Sequence, residues 1–352
     1  MAMKENDIQE QAVVAIRACL EEVPFIHVKR VRENQRQGNA EADILLDLQA
    51  QDGASWQIVV EVKANGQPRL ARDAVNQLLR CRSAFPEAYG VFMAPYVSPE
   101  AAEICANDGV GHLDLAGNCR LSFGQVFIRR EGIRNPFPQK RDLRSLYAPK
   151  STRVLRVLLM RRSAWKTQAL ADEAGVSLGQ VANVKKRLRD REWIAEGDAG
   201  FMLTKPQGLL TDWAENYTYR KNTVRDFYSM KETDELEAAL AKACGELDIP
   251  YAFTGFSAAR RIAPAVRGQR TMAYIGNIPE GLVGRVELKE VPSGANVSLM
   301  IPYDDGVFYG ARDVEGLRVV CPVQLYLDLK GYKGRGEEAA EAVWKQELAK
   351  LW

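Results

Sequence analysis

Between residues 131 and 150 the chain carries Gly132, Pro136, Pro138 and Pro149 among charged residues, and no apolar repeat of helical or strand period survives. Proline fixes φ and removes a backbone donor, so such a stretch interrupts any regular element that reaches it. This chain must therefore be built from separate bodies on either side of the break. At 352 residues it is also longer than one ordinary core. The expectation is one domain over 1–135, a linker over 136–150, a second domain over 151–222 and a third over 223–352.

The apolar period differs among these parts. The first opens with Ile8, Ala12, Ile16, Cys19, Leu20 and Val23 at three- and four-residue spacing, a helical pattern stopped by Pro24. Short strands are then expected over 25–31, 42–48, 57–62, 89–94 and 126–130, with helices over 69–85 and 99–108. That order implies an α/β sheet covered by helices. In the second part, helices over 151–162, 167–174 and 178–191 precede a hairpin around Glu196-Gly197-Asp198-Ala199-Gly200 and a helix over 207–219. Gly175 stands where a left-handed helix cap favours glycine. The third part mixes a helix over 234–247, strands near Tyr251 and over 272–275, 283–288, 297–301 and 319–320, and a terminal helix from Glu337, so it is expected to be α+β.

Composition matters here for what it excludes. No stretch approaches the ~18 apolar residues of a membrane span, and the start has no apolar signal core, so no membrane partner is expected. Cys19, Cys81, Cys105, Cys119, Cys244 and Cys321 contain no CxxC pair and read as reduced thilos of a cytoplasmic protein. With only His27 and His112, and with no HExxH, GxSxG or P-loop, the common histidine, serine and nucleotide chemistries are absent. The net charge of +2 is unevenly spread: residues 150–225 hold 15 Lys+Arg against 8 Asp+Glu, while the flanking parts carry −1 and −4. A compact basic segment points to phosphate, and double-stranded DNA is the partner expected for it.

In the first part, Asp43 lies in one expected strand and Glu61 and Lys63 in the next. Residues two apart in a strand share a face, so Glu61 and Lys63 emerge together, with Val60 and Val62 opposite. Two carboxylates can hold Mg²⁺ or Mn²⁺, and a nearby lysine can orient or deprotonate water. Residues 5–130 resemble the PD-(D/E)XK restriction-endonuclease-like superfamily, with Gln77 standing where several members carry a helical glutamine, and the run GVGHLDLAGNCRL is similar to the end of the domain in methyl-directed restriction enzymes. The resemblance implies Asp43 and Glu61 as metal ligands, Lys63 as general base or water-positioning group, and Gln77 as an accessory. Glu10, on the first helix, projects away from the apolar stripe, and Asp114 and Asn118 read as turn formers.

In the basic part, Ser177 and Gln180 have capping-box spacing, and Val181, Val184 and Leu188 form an inward stripe. Gln180, Asn183 and Arg187 form a second, outward stripe of side chains suited to base edges, with Lys185, Lys186, Arg189 and Arg191 beside them for phosphates. Residues 150–205 resemble winged helix-turn-helix modules, although the acidic hairpin tip opposes contact with DNA. Trp165 and Trp193 read as core anchors.

In the last part, YAFTGFSAARRIAP at 251–264, PVQLYLDL at 322–329 and GRGEEAAEAVWKQEL at 334–348, with the segment before them, resemble the type IV abortive-infection (AbiEi) antitoxins. That resemblance implies a DNA-binding regulator whose C-terminal domain opposes a toxin. Arg260 and Arg261 read as solvated surface charges. Three functions follow: a regulator of this kind carrying a nuclease-like domain, a Mg²⁺-dependent endonuclease targeted by its winged helix, or an interaction scaffold.

Overall fold

The computed structural model describes residues 5–38, 40–137, 146–265, 268, 270–332 and 334–352. The chain forms two compact units, one of Met1–Asp142 with Leu188–Glu192 and the other of Leu143–Arg187 with Trp193–Trp352. Of the expected linker, residues 138–145 lie outside the described residues, Pro138 among them. Pro149 opens a helix, at a position where its preset φ fits and its missing N–H costs nothing.

The first unit begins with α1 (Glu5–Glu21), followed by β1 (Ile26–Gln37), β2 (Ala40–Ala50) and β3 (Ser55–Val62). Then come α2 (Pro68–Cys81), β4 (Ala88–Ala94), α3 (Pro99–Asn107), β5 (Gly111–Asp114), β6 (Cys119–Phe123) and β7 (Val126–Arg130). All seven strands join one sheet in sequence order. The outer pairs are antiparallel, whereas β3, β4 and β5 run parallel through the helical crossovers α2 and α3. Two apolar layers follow from strand alternation. Ile8, Ala12, Ile16 and Leu20 of α1 pack on Ile44, Ile58, Val60, Val62 and Val91. Ala71, Val75 and Leu78 of α2 and Ala101 and Ile104 of α3 pack with Leu45, Val59 and Phe92, so helices cover both faces of the sheet. All six cysteines are buried thiols.

The second unit begins with α4 (Pro149–Met160), α5 (Thr167–Ala174), α6 (Leu178–Asp190, whose last three residues group with the first unit), the hairpin β8 (Ile194–Gly197) and β9 (Gly200–Leu203), and α7 (Pro206–Glu215). Gly175 adopts φ 60° at the end of α5, the left-handed cap expected there. Gly200 is required by space as well as by its φ of +127°, because a Cβ there would meet the Trp165 carbonyl oxygen at 2.3 Å. The rest comprises β10 (Thr223–Tyr228), α8 (Thr233–Glu246), β11 (Tyr251–Thr254), α9 (Gly255–Ile262), β12 (Thr271–Ile275), α10 (Glu280–Val286), β13 (Lys289–Glu290), β14 (Val297–Ile301), β15 (Arg312–Val314), β16 (Leu317–Val319), α11 (Pro322–Lys330) and α12 (Gly336–Gln346). Its mixed sheet has the order β13-β10-β14-β12-β11-β16-β15. The strand expected over 283–288 is a helix end instead. Leu282 and Val286, four apart, are buried on one side of α10, which is a helical rather than an alternating spacing. Among the described residues, no helix is long and apolar enough to cross a membrane.

Candidate functional site

The carboxylates and the lysine meet where the parallel strands of the first unit end. The β2–β3 ladder closes at Ile44 and Val60, leaving Asp43 and Glu61 just beyond the last pair. Asp43 Oδ2 accepts the Val62 N–H at 2.7 Å, which fixes that carboxylate against the end of β3. Val60 and Val62 face the α1 layer, so Glu61 turns to the α2 side, where it is buried. The Lys63 N–H donates to the Met93 carbonyl at 2.9 Å, and its Nζ donates to Glu61 Oε1 and, at 3.5 Å, to Gln77 Oε1 on α2. All four side chains expected to form the site are therefore neighbours.

The electrostatics of this cluster are unbalanced. Burial pushes the Glu61 carboxyl up to about 7, the Lys63 hydrogen bond works against that shift, and the Asp43 charge adds to it. A metal-like set of three acidic, histidine or cysteine residues does not occur among the described residues. Two carboxylates and the Gln77 amide oxygen are hard oxygen donors, and they suit Mg²⁺ or Mn²⁺ better than a soft metal.

Two participants escaped the sequence. Gln9 of α1 donates from Nε2 to the Asp43 main-chain oxygen at 3.0 Å and to Asn34 Oδ1 at 3.2 Å. Asn34 itself has a left-handed φ of 51°. Glu10 is exposed. The only advance signal for Gln9 was its place beside the apolar stripe residue Ile8. Asp114 and Asn118 do form a turn: Asp114 accepts from Val97 N, Asn118 N and Asn118 Nδ2 at 2.8–3.1 Å. Asn118 then holds the Ile133 main chain from both sides.

Helix α6 sorts its residues more sharply than its sequence did. Val181, Val184 and Leu188 are buried, and Ser177 Oγ accepts the Gln180 N–H at 3.3 Å. Two expected DNA contacts are redirected. Gln180 Nε2 donates to Ser151 Oγ of α4 at 2.7 Å, so it is not part of the outward stripe. Lys185 pairs with Glu196 of the hairpin at 2.6 Å and lies 5.1 Å over the Phe201 ring, because the acidic hairpin and an aromatic face compete for it within reach. Asn183, Lys186 and Arg189 are exposed and Arg187 and Arg191 half-buried, and all three arginines are engaged by neighbours. Trp165 and Trp193 are half-buried, Trp165 bridging to Phe201 through its backbone.

The third cluster is buried in the second unit; Thr254, Gln324 and Asp328 lie in the quoted stretches 251–264 and 322–329, but nothing in the sequence joined them into a cluster. Asp328 of α11 accepts from Tyr217 at 2.5 Å, Tyr274 at 2.8 Å, Gln324 at 3.0 Å and Thr254 at 2.6 Å. Gln324 Oε1 accepts from Arg156 of α4, which also lies 5.0 Å over the Trp213 ring. Arg153 adds a bidentate pair to Asp304, Nε to Oδ1 and Nη2 to Oδ2, each at 2.9 Å. Arg260 and Arg261 are not solvated surface charges; both bind the fully buried Glu237, at 2.5 and 2.7 Å.

Residues 202–349 match the family described as "Transcriptional regulator, AbiEi antitoxin, Type IV TA system", over less than half of the chain. No curated protein matches. Three solved structures are similar in part. A structure of an EndoMS–dsDNA2 complex shares 16% identity over 31% of this chain and 44% of that one, with a TM-score of 0.23. A repair endonuclease from Pyrococcus abyssi shares 11% over 32% and 48%, with a TM-score of 0.24. Pyrococcus furiosus SfsA in complex with Ca²⁺ shares 19% over 38% and 67%, with a TM-score of 0.21. This chain spans about half the length of the first two.

Proposed function

We propose that this protein is a duplex-DNA-binding transcriptional regulator of the type IV antitoxin kind, acting in the cytoplasm. In this reading residues 151–222 are a winged-helix module, residues 223–352 take a cognate toxin or another protein, and residues 1–135 are a PD-(D/E)XK-like domain. The observation that carries it is the face of α6 that exposes Asn183 and Lys186, set in the basic segment and followed by the matched residues 202–349. Contacts to several phosphates make affinity fall steeply with salt, by about 0.9 log units per log salt for each phosphate. Full-length protein should shift duplex DNA at low salt and lose it with that slope, and Lys186→Ala should weaken all duplexes alike. A protein that shifts no duplex at low salt ends the proposal.

A second reading is favoured by the convergence of Asp43, Glu61, Lys63 and Gln77: a Mg²⁺- or Mn²⁺-dependent endonuclease. Asp43 and Glu61 would hold the ion, which when bound supplies Lewis acidity and a more acidic water. Lys63 would leave Glu61 and hold or take a proton at its Nζ, and Gln77 would keep the ammonium in place from the helix side. Plasmid cleavage with either metal should be present in wild type and absent in Asp43→Ala and Lys63→Ala, with duplex binding by Lys63→Ala intact. Equal cleavage by all three proteins would place the activity elsewhere.

A further inference from the structure

The outward face of α6 is unusual in what it lacks. Its exposed residues are Leu178, Gly179, Ala182 and Asn183 in the first two turns and Lys186 and Arg189 beyond them. No carboxylate occurs from residue 178 to 189. Leu178 is 48% exposed, a large apolar side chain that faces water on this side of the helix. A Cβ at Gly179 would meet nothing within 4 Å, so packing does not require glycine there, although glycine weakens a helix relative to alanine. With Gln180 turned to Ser151 and Lys185 to Glu196, no guanine-reading side chain stands in the first two turns.

We infer that the first two turns of α6 enter the major groove closely and read A·T pairs, Leu178 and Ala182 against thymine methyls and Asn183 on an adenine edge. This rests on the DNA-binding reading above and deepens it. The occupant is duplex DNA because the segment is basic and the face offers Lys186 to phosphates just past its uncharged start. The start of a recognition helix is the part that reaches base edges. Thymine presents a methyl group there, adenine presents the N6–N7 pair that an asparagine amide matches, and arginine or lysine is the usual reader of guanine. Small residues at 179 and 182 remove the side chains that would hold the helix backbone away from the groove floor.

The test uses the full-length protein and a pool of duplexes with a randomised core. The selected duplex is remade with each thymine in turn replaced by uracil, which deletes only the methyl group. A·T pairs should be enriched, and one or two replacements should weaken wild type about fourfold, the effect of one buried methyl. One of those replacements, at the thymine that meets Leu178, should cause no further loss in Leu178→Ser, which is already weaker. Gly179→Leu, with its fold checked by circular dichroism, should lose affinity for every duplex tenfold or more. A G·C core, uracil without effect at every position, or wild-type binding by Gly179→Leu would each overturn the inference. Failure to bind any duplex in the pool is a different result, since it removes the DNA-binding reading itself.

Discussion

Glu61 and Asp328 are both carboxylates buried to 2% exposure or less, yet the protein treats them in opposite ways. Asp328 receives four donors, from Thr254, Tyr217, Tyr274 and Gln324. Burial still raises its carboxyl, and those four bonds pull against the rise. Glu61 has Lys63 as its side-chain donor and Asp43 as a repelling neighbour, and it is raised to about 7. A buried polar group that the fold satisfies completely serves the fold. One that burial raises beside a like charge, with a lysine as its donor, marks a candidate for a functional site. The contrast separates a structural cluster from a candidate site without reference to any relative.

The largest test removes the satisfied carboxylate. Asp328→Ala takes away the acceptor that four donors share; Gln324 and the two tyrosines can still bond one another, but donors left unpaired cost about 1–3 kcal/mol each, so the second unit should lose at least about 2 kcal/mol. Urea unfolding measures this, and a loss below 1 kcal/mol would put the two carboxylates in the same class.

A buried histidine in the first unit must be separated before any pH effect there is assigned to Glu61. His112 is 3% exposed and its Nδ1 has no partner. Burial pushes its pKa down to about 4; Glu131 opposes the shift, and Arg120, opposite it on β6, adds to it. The unfolded chain then binds the proton more readily, so stability is full above pH ~6.5 and is lost as pH falls toward 4, by up to about 3 kcal/mol. Denaturation at pH 7 and 4.5 should show this loss in wild type and a smaller one in His112→Leu. Identical losses would mean the histidine is not the group responsible.

Removing the Glu61 charge should behave differently. Glu61→Gln keeps the shape and deletes a desolvated charge, while Lys63, partly exposed, can turn to water. Stability at pH 8 should change by less than about 1 kcal/mol or rise, while any metal-induced rise in melting temperature should disappear. A loss as large as that of Asp328→Ala would make Glu61 a structural residue.

How much of this was legible in sequence depends on distance along the chain. Glu61 and Lys63 lie two apart on one strand, and Asp43 on the neighbouring strand, so period-two alternation places them together. The three helices and the hairpin of the basic segment follow from local period, a glycine cap and turn residues. By contrast, the Asp328 cluster gathers residues 156, 217, 254, 274 and 324, and no local period relates positions that far apart. Gln180 and Lys185 turn to partners within the fold for another reason. They sit at the border of the buried stripe, where rotamer and partner decide direction, and Ser151 and Glu196 were within reach of them. At 283–288 the apolar residues were too few to tell four-residue spacing from alternation.

The smallest expected effect lies on the face that the fold leaves open. Gly179 is in a helix with empty space around the position of a Cβ, so Gly179→Ala meets no clash and restricts the unfolded chain. It should raise stability by about 0.5–1 kcal/mol. A buried, satisfied residue such as Asp328 cannot be improved this way, because its surroundings were chosen for the fold. If the face serves DNA, the same substitution should lower duplex affinity while it raises the unfolding midpoint, since even one methyl group intrudes on a close approach to the groove. Paired measurements on one preparation decide the point. Opposite signs fit a position kept for a ligand, whereas a rise in stability with unchanged or tighter binding would show that Gly179 is merely tolerated.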